Sequence, residues 1–222
     1  MRVRILTLVL ASVMMVGNVA MAQTAKPAPA KPAAAKPAQA KPAPAPAKPA
    51  PAPAAAAAAG KTSPGAGPVI VVETEKGTFE FETYPNEAPK TVEHIVGLVK
   101  NRFYNGQRFH RVEPGFVVQF GDPQSRDPNK RDDWGTGGSG NPIGVLEVNK
   151  KRTHVTGAVA MAHRGGDPKG ADSQMYIVLS PQPQLNADYA VFGQVISGMD
   201  VVQKLRVTDR ILRVTVRDEA KK

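Results

Sequence analysis

Arg111, Phe116 and Gln119 lie in the segment Phe109-His110-Arg111-Val112-Glu113-Pro114-Gly115-Phe116-Val117-Val118-Gln119-Phe120-Gly121-Asp122, where a Pro-Gly turn joins two short apolar runs. If the runs pair as strands across that turn, a cation, an aromatic ring and an amide reach one surface patch. On residue types alone the patch is either a binding site or a solvated sheet face.

More familiar chemistries fail on inspection. The chain has no Cys, which removes thiol nucleophiles, disulfides and Cys-metal sites. His94, His110, His154 and His163 lack metal-type spacing such as His-x-x-x-His, so no metal is expected, and His94 is expected on a helix, solvated or partly packed. Ser173 and Ser180 lack the Gly-x-Ser-x-Gly setting of a nucleophile elbow. Gly135-Thr136-Gly137-Gly138-Ser139-Gly140 matches Gly-x-Gly-x-x-Gly in letters only, because a polar stretch precedes it and Pro142 follows. A nucleotide loop needs a strand before it and a helix after it, so a flexible surface loop is expected here.

The net charge of +10 invites a nucleic-acid partner until it is located. Eight of the 29 Lys and Arg, and none of the 19 Asp and Glu, fall in residues 1–66. The remainder is close to balanced and has no basic excess of the nucleic-acid-binding kind. At the start, Arg2 and Arg4, the apolar run from Ile5 to Val16 and Ala20-Met21-Ala22 form the pattern of a cleaved secretory signal over residues 1–22. That run is too short to span a membrane, which takes about 20 apolar residues. Residues 23–67 repeat Lys-Pro-Ala units, with eleven Pro between Pro27 and Pro64. Such a segment cannot build a core and is expected to be a disordered, polyproline II-like spacer.

Residues 68–222 have the length of one domain. Val69 to Thr74 and Thr78 to Thr83, around Glu75-Lys76-Gly77, form a hairpin pattern. Val92, Ile95, Val96 and Val99 recur at helical spacing behind Pro89. Strand patterns follow at Gln107 to Val112, Phe116 to Phe120, Thr156 to Ala162, Met175 to Leu179 and Ala190 to Ile196. A short helix fits Met199 to Leu205, and Ile211 to Val216 is a last strand. Many short strands with two helices and no βαβ alternation point to an antiparallel barrel or a sandwich.

The Phe109–Asp122 segment resembles the cyclophilin signature FHRVxPGFxxQxGD. Gly157 to Ala162, then Asp172-Ser173-Gln174-Met175-Tyr176-Ile177, then Leu185 with Tyr189 to Val195, resemble further segments of that family in the same order. The hairpin Val71 to Thr83 and Ala88-Pro89-Lys90-Thr91-Val92 resemble its beginning, so the similarity covers about residues 68–216. It implies a mainly β fold, a closed eight-stranded antiparallel barrel capped by two helices, and a cofactor-free peptidyl-prolyl cis/trans isomerase. It also implies roles. Arg111, Phe116 and Gln119 would be the catalytic residues, Arg111 as the catalytic arginine and Gln119 hydrogen-bonding the substrate backbone. Phe116, Val117, Tyr176 and Leu185 would line a proline pocket, with Tyr189 at its edge. Gln174 would brace the arginine, and Ala162 and His163 would offer main-chain contacts.

Several positions depart from the family pattern: Gln184 stands where Trp or Phe is common, Tyr189 where His is frequent, Phe120 where Gly is frequent, and Arg164 where a small residue is usual. A proline-peptide binding module or holding chaperone with little catalysis is therefore the second reading. The loop Pro123 to Asn141, with Trp134, is long and either flanks the substrate or packs on the barrel. The expected partners are unfolded or partly folded proteins carrying X-Pro bonds, met by a monomer in the periplasm or outside the cell.

Overall fold

The computed structural model describes residue 65 and residues 67–217. The expected signal segment and nearly all of the spacer lie outside the described residues.

Alternation builds the first hairpin. In β1 (Val69–Thr74) the residues Ile70, Val72 and Thr74 are buried, and in β2 (Gly77–Thr83) Phe79, Phe81 and Thr83 are. Gly77 takes a φ of +128°, which an L side chain would strain. Helix α1 (Pro89–Lys100) opens with Pro in its first turn and buries Thr91, Val92, Ile95 and Val99. Burying each of these aliphatic side chains contributes about 1.5–3 kcal/mol, so a charge at Ile95 would detach the helix. The remaining elements are β3 (Arg111–Glu113), β4 (Val117–Phe120), β5 (Ala158–Met161), β6 (Met175–Val178), β7 (Val191–Ser197), α2 (Met199–Lys204) and β8 (Ile211–Val216).

The eight strands form one sheet in the order β3-β4-β6-β5-β7-β2-β1-β8, and every neighbouring pair is antiparallel. The sheet curls around a single core. Ile70, Phe79, Phe81, Val118, Phe120, Val159, Ile177, Phe192 and Val214 meet there with Ile95 of α1 and Val202 of α2.

The resemblance predicts a closed barrel; the described residues form a curled half-barrel with two helices. Among the described residues β3 and β8, the two ends of the sheet, share no ladder. They are linked by a bridge between Arg108 and Arg210 and by the bonds of Phe109 N–H to Asp209 O (3.1 Å) and Ile211 N–H to Gln107 O (2.8 Å). The same bonds shorten β3. Residues 107–109 turn their backbone toward 208–211, so the strand begins at Arg111 rather than at Gln107.

Four short 3₁₀ turns were not foreseen: Pro123–Arg126, Pro128–Asp133, Pro168–Gly170 and Pro183–Leu185. Three follow an Asp-Pro pair. Asp122, Asp127 and Asp167 each accept a bond from a backbone N–H of the turn they precede, and Pro fits the first turn position because its missing N–H is not needed there.

Candidate active site

Sheet register places the key side chains. Arg111 pairs with Gln119, Gln119 with Tyr176, Tyr176 with Ala160, and Ala160 with Val191. Strand side chains alternate between faces, and Val118, Phe120, Val159 and Ile177 belong to the core. The row from Arg111 to Val191 therefore lies on the opposite, outer face. There a second apolar cluster holds Tyr84, Val117, Ala158, Ala160, Tyr176, Val178 and Val191, with half-buried Phe116, Ala162, Leu185 and Tyr189 against it. All the apolar residues named from the sequence for the pocket thus meet in one place.

The Arg111 side chain is 40 % exposed, and its guanidinium carbon lies 5.5 Å from the centre of the Phe116 ring. Its Nε (2.8 Å) and Nη2 (2.7 Å) both donate to Glu113 Oε1, and Nη1 lies 3.4 Å from Gln119 Oε1. Gln119 Nε2 donates to Gln174 Oε1 (2.9 Å), and Gln174 Nε2 donates to the carbonyls of Gly135 (2.9 Å) and Gly137 (2.7 Å). Gln174 reaches the guanidinium through Gln119. The His163 ring stacks on Tyr189 with centroids 4.4 Å apart, and the Ala162 N–H is taken by the Gln174 carbonyl (2.9 Å).

The Gly-rich segment is stitched down, which corrects the expectation of a flexible loop. Asp122 Oδ2 accepts the N–H groups of Gly135 (2.5 Å) and Gly137 (3.2 Å), and Asp172 accepts the Gly140 N–H (2.9 Å) and the Ser139 hydroxyl. The N–H groups of Gly135, Gly137 and Gly140 are thus spent on the protein's own carboxylates. Trp134 turns back on its own loop, donating to the Asp127 carbonyl (3.1 Å). Asp172 also faces half-buried His94, at 3.5 Å.

The unusual residues are now placed. Phe120 packs in the core, edge-on to Phe109 and Tyr104, and takes no part in the outer face. Arg164 donates to the Thr136 carbonyl (2.6 Å), tying the segment after β5 to the Gly-rich loop. Gln184 is exposed and bonded to Gln182 (2.6 Å).

Two histidines flank the row, His154 buried and His110 half-buried. Burial pushes the His110 imidazole down to about 4, against a partial upward pull from Asp122. Burial likewise lowers His154 and raises the Tyr176 phenol. Sequence reasoning missed Glu113, which fills an unspecified signature position, and His154 and Asn186, which no local pattern connects to Tyr176. Among the described residues no group of three or more His, Asp or Glu could hold a metal ion, and no helix is long and apolar enough to cross a membrane.

The outer face of the curled antiparallel sheet thus carries a guanidinium, two linked amides and an apolar cluster. Residues 69–220 match the family model described as cyclophilin type peptidyl-prolyl cis-trans isomerase/CLD. The chain is 42% identical over 138 residues to peptidyl-prolyl cis-trans isomerase B of Bacillus subtilis, covering 62% of this chain and 90% of that protein. It is 40% identical over 152 residues to a peptidyl-prolyl cis-trans isomerase of Synechococcus elongatus, covering 68% and 97%. A Cryptosporidium parvum cyclophilin type isomerase, crystallised in the presence of the dipeptide ala-pro, shares the fold with a TM-score of 0.60, at 24% identity over 68% of this chain and 99% of that one. The chain belongs to the cyclophilin-type peptidyl-prolyl cis-trans isomerase family, and its activity is that of the family.

Proposed function

We propose that this isomerase is exported and assists folding by rotating X-Pro bonds in other exported proteins, with Arg111 stabilising the twisted imide. The carrying observation is the row Arg111–Gln119–Tyr176 beside the apolar cluster of Phe116, Val117, Leu185 and Tyr189.

The peptide bond resists rotation by about 18–20 kcal/mol because the nitrogen lone pair is delocalised, and X-Pro exchange takes tens to hundreds of seconds. Twisting returns the lone pair to nitrogen. A donor aimed at that nitrogen bonds strongly only in the twisted state, so the binding is differential. Glu113 takes the Nε hydrogen and one Nη2 hydrogen of Arg111 and Gln119 Oε1 faces one on Nη1, which leaves the second hydrogen of each Nη for the substrate nitrogen. Phe116, Val117, Tyr176 and Leu185 hold the proline ring, with Tyr189, His163 and Ala162 at the edge. Gln119 gives one Nε2 hydrogen to Gln174 and offers the other to a substrate backbone carbonyl. On this reading the links between residues 106–109 and 208–211 act as the seam that closes the sheet as a barrel.

The test is isomerisation of a proline tetrapeptide by the chain starting at Gln23, together with fractionation of the producing cell. Turnover and a chain cleaved after Ala22 outside the cytoplasm are expected. Affinity for the peptide without turnover would refute the catalytic mechanism, and an uncleaved cytoplasmic chain would refute export.

A further inference from the structure

Tyr176 and His154 are both buried, at 5% and 2% exposure. His154 Nε2 lies 2.9 Å from the Tyr176 hydroxyl, and the two rings stack with centroids 5.9 Å apart. On the other side of the imidazole, Asn186 Oδ1 lies 2.8 Å from the His154 backbone nitrogen and 2.8 Å from Nδ1. A backbone N–H can only donate, so Asn186 presents its carbonyl oxygen there, and Nδ1 must carry the ring hydrogen to meet the same oxygen. Nε2 is then the lone-pair nitrogen, and the Tyr176 hydroxyl donates to it.

This arrangement joins two parts of the pocket. Tyr176 belongs to β6, whereas Asn186 directly follows the turn that carries Leu185. The Gln182 N–H, at the start of that turn, donates to the His154 carbonyl (2.8 Å). One imidazole thus fastens the Tyr176 floor to the Leu185 wall, with both ring nitrogens and both backbone polar groups engaged. An unpartnered polar atom at such depth is costly, which favours one arrangement of the two parts over looser ones.

We propose that His154 is a positioning residue of the isomerase, holding the Tyr176 ring and the Leu185 turn at the separation that receives the proline ring. The inference rests on the pocket reading above. His154 acts through Tyr176 and touches no reacting atom, so its loss should weaken proline binding equally in the planar and twisted states. Such uniform binding appears in KM and not in kcat.

The experiment measures KM and kcat on a proline tetrapeptide for wild type, His154→Leu, His154→Gln, Tyr176→Phe and the double variant His154→Leu/Tyr176→Phe, with circular dichroism as the fold check. Wild-type turnover comes first, since its absence would remove the pocket reading rather than this inference. In His154→Leu and Tyr176→Phe, KM should rise about three- to tenfold, the equivalent of one hydrogen bond, with kcat within about twofold. The double variant should be no worse than His154→Leu alone, because Tyr176→Phe breaks a bond that His154→Leu has already removed. His154→Gln keeps an acceptor near the Nε2 position and should recover most of the loss. If His154→Leu does not fold, Tyr176→Phe and His154→Gln still report on the bond. Unchanged KM in a folded Tyr176→Phe, effects that multiply in the double variant, or His154→Gln as weak as a folded His154→Leu would each overturn the proposal.

Discussion

On the proposed mechanism, replacing Arg111 by alanine separates catalysis from folding. The side chain is 40% exposed and its ion partner Glu113 49%, and exposed pairs of this kind contribute about 0–1 kcal/mol to stability. The melting temperature of Arg111→Ala should therefore stay within a few degrees of wild type. On the proposed mechanism catalysis is another matter, since the guanidinium hydrogens that Glu113 and Gln119 do not take are the donors for the twisted imide. Removing one preorganised donor of a transition-state charge lowers turnover about 100- to 1,000-fold, or about 2.7–4 kcal/mol. Arg111→Lys should recover only part of this, because one ammonium cannot hold Glu113 through two nitrogens and still aim a third at the substrate. The assay is isomerisation of a proline tetrapeptide followed at low temperature, where the uncatalysed background is slow, with circular dichroism on the same samples. A natively folded Arg111→Ala within about threefold of wild type would remove the guanidinium from the mechanism.

Other consequences are open to simpler measurements. Glu113→Gln should leave stability within about 0.5 kcal/mol and lower kcat/KM about two- to fivefold at low salt, the deficit shrinking as salt screens the wild-type pair; a deficit that ignores ionic strength contradicts this. Asp122 is fully buried and accepts the N–H groups of Gln124, Gly135 and Gly137, so Asp122→Ala should cost about 3 kcal/mol or more in urea unfolding. The pH dependence follows from His110 and His154, whose folded pKa values lie below the unfolded value of about 6.5. Between those values the unfolded chain binds more protons. Stability should therefore be full above about pH 6.5 and fall as the pH drops toward about 4, the His110 share reaching at most about 3 kcal/mol. Urea midpoints that are flat from pH 7 to 5 in the wild type, or a His110→Gln variant with the same slope, would contradict the assignment.

Local pattern and resemblance were informative wherever the physics is local. The alternation in Val69–Thr74, the spacing of Val92, Ile95 and Val99, and the order of the signature segments lead to the right elements and to the cluster around Tyr176. What escaped depends on distant partners. Nothing near Gln107 in the sequence shows that its carbonyl is claimed by Ile211, so β3 was drawn too long. The Gly-rich segment looked loose because the carboxylates that hold it, Asp122 and Asp172, come from elsewhere in the chain. His154 is 22 residues from Tyr176 and 32 from Asn186, and no period links them. The Asp-Pro pairs, by contrast, are a local signal: each sets a cap and a fixed φ, which is enough to start a 3₁₀ turn.

The neighbours of β1 bear on how the domain is made. One of its edges is filled at once by β2, whereas the other belongs to β8, and Glu73 waits 140 residues for Arg213. During synthesis from the N-terminus, the first strand keeps a bare edge until the last has emerged, and a bare edge invites pairing with other chains. The fold of this isomerase thus depends on a pairing between strands far apart in the chain, and a truncation just short of β8 should be sticky as well as inactive.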